Sequence, residues 1–293
     1  MKALLTLLPL LAYAQGVTGP RSGFVFDAQA KAIRPVNGIP GAATLGEPLD
    51  LGGLTLDQVE FGFAGVAYAI ASGRVYRISL NNPKAEIISG TLPDARLAAG
   101  GVLWSPSTRT LQFLTDGRQV LVNADGNLTA AVLTGVNCAI LAFDSGAVES
   151  LCDNNQSRIY DDQTVTVTAL AVTHDAIFAL AGNRILELSP ELKTISSGIQ
   201  LVGLTAVNNV LLAVADANQR NVTFISLNDN PAPSPVNLLF KPKGLRHLDT
   251  DILQLGDAGL EPFEVIDLNQ QNRNFFIPAI VTATISTTRG GQN

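Results

Sequence analysis

The chain has 293 residues, 46 % apolar and only 15 % charged, with a formal net charge of −6 and a pI near 4.9. Its basic residues are scattered, the densest group being Lys241, Lys243 and Arg246, which argues against a nucleic-acid or anionic-membrane surface. No long window carries an apolar stripe at helical period, so the composition predicts many short strands joined by turns in an all-β domain.

The chain opens with MKALLTLLPLLAYAQG. Lys2 is a basic start, residues 3–12 are an apolar segment too short to span a bilayer, and Ala12-Tyr13-Ala14 is a small-x-small cleavage site. Residues 1–14 therefore read as a signal peptide, and the mature chain as an exported protein, periplasmic or extracellular, with no membrane span. GFVFD (23–27) and AIRPV (32–36) follow as a strand pair, read as third and fourth strands of a sheet whose first two do not precede them. Residues 37–51, rich in Gly and Pro, read as loop.

The repeating unit comes next. In VAYAIASGRVYRISLNNPKAEII (66–88), Ser72-Gly73 is a two-residue turn, residues 74–80 alternate at strand period, and Asn81-Asn82-Pro83 is a second turn. With the strand at 59–63, this makes four antiparallel strands in about 35 residues, the size of one propeller blade.

Turns between first and second strands are expected at Ala64-Gly65, Ser105-Pro106-Ser107, Asp144-Ser145-Gly146, His174-Asp175, Asn208-Asn209 and Thr250-Asp251. Third strands are expected at RVYRISL, RQVLV, SRIYD, RILELS, NVTFISL and PFEVIDL, and the short step from Ser157 to Arg184 implies a trimmed blade. IVTATIST (280–287) reads as a lone strand that completes the N-terminal blade, protecting the open edges of the array. The expected fold is a β-propeller over residues 15–287, with four-stranded blades, seven in number and the termini sharing one. Six blades with an extra hairpin is the alternative. Residues 288–293 read as a mobile tail.

LLAVADANQRNVTFISLNDN (211–230), PFEVIDLNQQNRNFFIPAI (262–280) and the entry Pro242-Lys243-Gly244-Leu245 resemble the repeats of secreted bacterial propellers of the YVTN and NHL kind. The resemblance implies fold and secretion. Members of such families act as surface scaffolds, partner-binding modules and occasionally enzymes.

Cys138 and Cys152 flank a hairpin whose register sets them directly opposite each other. In an oxidising compartment this pair would form a disulfide; two buried thiols are the alternative. The two histidines, His174 and His247, are too few for a zinc site without carboxylates, and read as structural or solvent-exposed. No GxSxG elbow, phosphate-binding loop or dinucleotide fingerprint occurs. The single Trp104 argues against a quinoprotein-type propeller. Turns at Asp153-Asn154-Asn155, Asp216-Ala217-Asn218 and Asn228-Asp229-Asn230 offer oxygen ligands for calcium, though Asp and Asn are also what turns require. No other cofactor is expected.

A propeller gathers its binding residues where loops meet the central channel. The loops expected between second and third strands carry Asp116, Asn154, Asn155, Asn183, Asp216, Gln219, Arg220 and Asp257, a polar candidate ligand face. The favoured reading is a non-catalytic propeller that binds a protein or carbohydrate partner through a loop face. A calcium-assisted hydrolase or lyase at the channel mouth, and a structural envelope component, are the alternatives.

Overall fold

The computed structural model describes residues 21–278 except 40, 63, 154, 250, 257–261 and 270–272. Within them the chain is all-β, without helix, and its strands form seven antiparallel sheets. Blade 1 holds β1 (Arg21–Asp27), β2 (Ala32–Asn37) and β3 (Thr44–Leu45). Blade 2 holds β4 (Gln58–Phe61), β5 (Val66–Ala71), β6 (Arg74–Ser79) and β7 (Lys84–Ile88). Blade 3 holds β8 (Arg96–Ala99), β9 (Val102–Ser105), β10 (Thr110–Phe113) and β11 (Gln119–Leu121). Blade 4 holds β12 (Leu128–Gly135), β13 (Cys138–Phe143), β14 (Ala147–Cys152) and β15 (Asn155–Asp161). Blade 5 holds β16 (Val167–Val172), β17 (Ile177–Ala181), β18 (Arg184–Ser189) and β19 (Lys193–Ser197). Blade 6 holds β20 (Leu201–Asn208), β21 (Leu211–Asp216), β22 (Asn221–Ser226) and β23 (Val236–Asn237). Blade 7 holds β24 (Arg246–Asp249), β25 (Ile252–Leu255), β26 (Phe263–Asp267) and β27 (Arg273–Ile277).

The apolar pattern explains the ring. Along β13, Ala139, Leu141 and Phe143 pack toward blade 3, while Ile140 and Ala142 pack toward blade 5. A second strand is thus buried on both faces, and VAYAIA, CAILAF, IFALA and LLAVAD read as unbroken apolar runs for that reason. Each apolar cluster lies between two neighbouring blades. The series runs from blades 1 and 2, joined through Ile33, Val59 and Ile78, round to blades 7 and 1, joined through Val265, Ile252, Val25 and Val36. Seven sheets and seven such interfaces close the circle: the chain is a seven-bladed β-propeller.

Two expectations about strand order are corrected. Ser105-Pro106-Ser107 and Asp144-Ser145-Gly146 join second to third strands, and RQVLV and SRIYD fall on fourth strands, β11 and β15. The first strands of those blades, RLAA and LTAAVLTG, are Ala-rich and mostly half-buried or exposed, so they lack the apolar signature of a core strand. Blade 5 is complete, not trimmed.

The N-terminal pair is also displaced by one position. Asp27 accepts hydrogen bonds from the N–H groups of Gln29 and Ala30, and Lys31 has a φ of 50°. Asp216 does the same for Asn218 and Gln219, and Arg220 has a φ of 52°. The carbonyls of Lys31 and Arg220 each accept an N–H, from Leu56 and Leu238, at 2.8 Å. The β1–β2 turn therefore matches the β21–β22 turn, and β1 and β2 are second and third strands. Residues 280–287, expected to share this blade, lie outside the described residues, as do the leader 1–14 and the tail 288–293.

Candidate functional site

In antiparallel blades the first-to-second and third-to-fourth turns fall on one face of the ring, and the second-to-third turns with the inter-blade linkers on the other. The first strands β4, β8, β12, β20 and β24 supply residues to a cavity of about 940 Å³ on the axis, a volume in the range of small-molecule sites. Its mouth lies on the first face, where Gly65, Asn81 and Gly100 belong to turns of blades 2 and 3. The walls are largely apolar (Phe61, Ala98, Ala131, Val132, Leu133 and Val207), with Arg21, Glu60, His247 and Asp249 as the ionisable groups.

His247 is committed to the scaffold. Its Nε2 donates to the Ala206 carbonyl at 2.8 Å, bridging blades 6 and 7, and its Nδ1 lies 3.3 Å from the Asp249 carbonyl. Arg21 lies over the Phe24 ring at 4.9 Å. His174 is far more accessible: Nδ1 meets Asp175 at 2.6 Å on an exposed turn, and that hydrogen bond raises the imidazole pKa. Among the described residues no three His, Cys, Asp or Glu side chains gather as a metal-holding group.

The residues proposed as one ligand face are divided between the two faces. Asp116 lies in the β10–β11 turn, where Oδ1 accepts the Arg118 N–H at 2.9 Å, and Asn155 opens β15 opposite Cys152. Both belong to the cavity-mouth face. Asn183, Asp216, Gln219 and Arg220 lie on the opposite face. Asn154 and Asp257 lie outside the described residues. The division follows directly from the one-strand offset in blades 3 and 4.

The placed residues mostly shape their own turns. Asp216 is buried and its two oxygens accept backbone N–H groups from Ile199, Asn218 and Gln219. Asn228 Oδ1 accepts from Asn230 N–H and the Ser226 hydroxyl. Gln219 Oε1 accepts from Asn221 Nδ2 at 3.2 Å. Cys138 and Cys152 are directly opposed across β13 and β14 and joined by a disulfide, with Cα atoms 4.2 Å apart.

What the turn-residue reasoning missed is apolar. Val136, Leu192, Val210 and Ile39 sit at turn tips of the cavity-mouth face and are 73 %, 63 %, 45 % and 57 % exposed. The turns are braced on one another: Arg118 donates to the Asn137 carbonyl at 2.9 Å, linking blades 3 and 4, and His174 N–H donates to Asn209 Oδ1 at 3.1 Å, linking blades 5 and 6. The second-to-third turns opposite carry no large exposed apolar side chain among the described residues, as in Ser72-Gly73, Ser107-Thr108 and Gly182-Asn183; on that face Ile199, Leu239 and Phe240 are exposed in inter-blade linkers. Turn tips are normally polar, so Val136-Asn137 and Asn209-Val210 could have been singled out from sequence.

No protein-family profile matches the chain, and no curated protein sequence is detectably similar to it. Similarity to solved structures is extensive and defines the fold. Streptogramin B lyase superposes with a TM-score of 0.59 at 11 % identity, over 76 % of this chain and 82 % of that one. PorZ, a surface component of the type-IX secretion system of Porphyromonas gingivalis, gives 0.59 at 10 % identity, over 89 % of this chain and 38 % of PorZ. Hsv2 of Kluyveromyces marxianus gives 0.52 at 8 % identity, over 89 % and 97 %. Among the described residues no helix is long and apolar enough to cross a membrane.

Proposed function

We propose that this is an exported, non-catalytic propeller of the kind built from YVTN- and NHL-like repeats, which binds a protein partner through the cavity-mouth face. The observation that carries this reading is the set of exposed aliphatic tips, Val136, Leu192, Val210 and Ile39, with the turns of Val136 and Val210 hydrogen-bonded to neighbouring blades. Exposing apolar side chains to water has no stabilising role in the isolated ring, and a rigid presentation lowers the ordering cost of binding. Aliphatic tips without aromatic rings suit a protein better than a carbohydrate, which is recognised by ring stacking and hydrogen bonds. The leader-like start and the disulfide support export. The test is photo-crosslinking in the native host, with the crosslinking residue placed at Val136 or, as control, at Ser107 on the opposite face. A discrete adduct at Val136 and none at Ser107 is expected; equal labelling would refute the assignment of the face.

The axial cavity favours a second reading, a hydrolase or lyase at the channel mouth assisted by calcium. Glu60 and Asp249 supply carboxylates there, which suit a hard cation. A thermal-shift comparison in calcium and in EDTA decides it. The binding reading expects identical melting temperatures, and a calcium-dependent rise would favour the second.

A further inference from the structure

We propose that the outer edge of blade 7, formed by β27 and the Leu239-Phe240 turn, docks an extended peptide alternating apolar and acidic residues, added as a further strand along β27. This site lies on the other face and periphery of the ring, and does not depend on the cavity-mouth reading.

The surface is apolar, stacked and exposed. Leu239 is 69 % exposed, and Phe240 and Phe276 are each 45 % exposed although their rings stack at 6.1 Å with planes 24° apart. Nothing in the ring requires two aromatic rings at the solvent boundary. Beside them Phe240, Lys241, Pro242, Leu255, Phe263 and Glu264 border a hollow of about 330 Å³, large enough for a partner side chain.

The surface is also fixed in place. Glu264 is buried and accepts the N–H groups of Leu239 at 2.9 Å and Phe240 at 3.2 Å, with Asn274 Nδ2 at 3.1 Å. One carboxylate thus pins the linker that carries the exposed side chains to the strand beside it. Asn274 Nδ2 also donates to the Asn237 carbonyl, tying β27 to the end of blade 6.

Among the described residues no further strand covers this edge and no charge pair lies along it. Among the described residues β27 pairs only with β26, through Phe263–Asp267. Three other outer strands carry charge pairs that discourage strand addition, Lys84 with Glu86 on β7, Arg158 with Asp161 on β15, and Lys193 with Glu187 at β19, whereas β11 is uncharged but has no aromatic pair beside it. On β27 the only charged residue is Arg273, which is exposed, as is Lys241 nearby. The carboxylates beside them, Glu264 and Asp267, are buried and accept backbone N–H groups, so among the described residues the solvent-facing charges at this apolar centre are positive, as with Lys241 and Arg273. Charge complementarity therefore selects an acidic partner, main-chain hydrogen bonds select an extended one, and the aromatic pair selects apolar side chains on one face.

The probe is the fluorescein-labelled peptide Glu-Val-Glu-Phe-Glu-Val-Glu, titrated against the full-length mature protein by fluorescence anisotropy. Two controls accompany it, one with every Glu replaced by Lys and one with the central Phe replaced by Pro, which lacks the N–H a ladder needs. Saturable binding of the first peptide alone is expected, weakening with salt. Phe276→Asp should weaken it at least about tenfold and Lys241→Glu about threefold, with melting temperatures unchanged. Ile87→Asp, on the outer strand of blade 2, should leave it unchanged. Absence of saturable binding, equal binding of the Lys peptide, or binding that survives Phe276→Asp would each overturn the proposal. So would a self-association in sedimentation that Phe276→Asp abolishes, which would make the occupant a second copy. Phe276-dependent binding to phosphatidylglycerol vesicles would assign the patch to a lipid surface instead.

Discussion

Replacing Glu264 with Leu removes the acceptor for two linker N–H groups and for Asn274 Nδ2 while filling the buried site with an apolar side chain of similar size. A buried donor left without a partner costs about 1–3 kcal/mol, and bonds to a charged acceptor sit at the upper end. The linker is only partly buried, so water recovers some of that loss, and the expected destabilisation is about 2–4 kcal/mol. Glu264→Gln keeps one oxygen but turns an amide N–H toward a backbone N–H, and should cost about half as much. Equilibrium urea unfolding of the mature protein reads this as a lower midpoint with an unchanged slope, since the surface exposed on unfolding is the same. A Glu264→Leu protein with a wild-type midpoint would refute the claim that this carboxylate holds the linker. Blade 3 offers an internal comparison. There Gln112 accepts the Leu92 N–H at 3.3 Å and donates to the Gly90 carbonyl at 3.1 Å. Being uncharged, its replacement by Leu should cost less, about 1–2 kcal/mol.

Reduction, or the double variant Cys138→Ser with Cys152→Ser, opens a loop of sequence separation 14 and should cost about 3 kcal/mol or less, seen as a lowered melting temperature. Acid should also weaken the fold. Hydrogen bonds from Lys31 and Ser72 to Asp57, from Ser105 and Ser107 to Asp94, and from Asn127 to Asp144 hold these carboxyls below their ordinary range. A lowered folded pKa means that the unfolded chain binds more protons, so this stabilisation is complete above about pH 4–5 and is lost progressively below it. Melting temperatures that stay flat or rise from pH 5 to 2 would contradict the assignment. The expectation that residues 280–287 complete blade 1 is tested by ending the chain after Pro278, which should lower the melting temperature; an unchanged value would count against it.

The fold was legible where burial was two-sided. VAYAIA, CAILAF and LLAVAD announce second strands because blades cover both their faces, and the Cys138–Cys152 register follows from a short turn whose geometry is local. Blades 3 and 4 were misread by one strand because RLAA and LTAAVLTG face the channel and are mostly half-buried or exposed, leaving no apolar signal to mark them as first strands. The N-terminal pair was misplaced although Asp27-Ala28-Gln29-Ala30-Lys31 carries the turn chemistry of Asp216-Ala217-Asn218-Gln219-Arg220. That likeness lies in hydrogen-bonding capacity, not in identity. The candidate site was less legible. Asp and Asn read as ligands where they cap turns; Val136 and Val210 stand out in sequence only as apolar residues at turn tips, and the exposure of Phe240 and Phe276 follows only from the three-dimensional arrangement.

The most direct test of the partner-binding reading is hydrogen exchange on the mature protein, alone and with the partner captured by crosslinking at Val136. Added protection is predicted at the turns around Val136, His174, Leu192 and Val210, with none at the turns around Ser72, Ser107 and Asn183. Protection confined to those second-to-third turns, or absent from both faces, would contradict it.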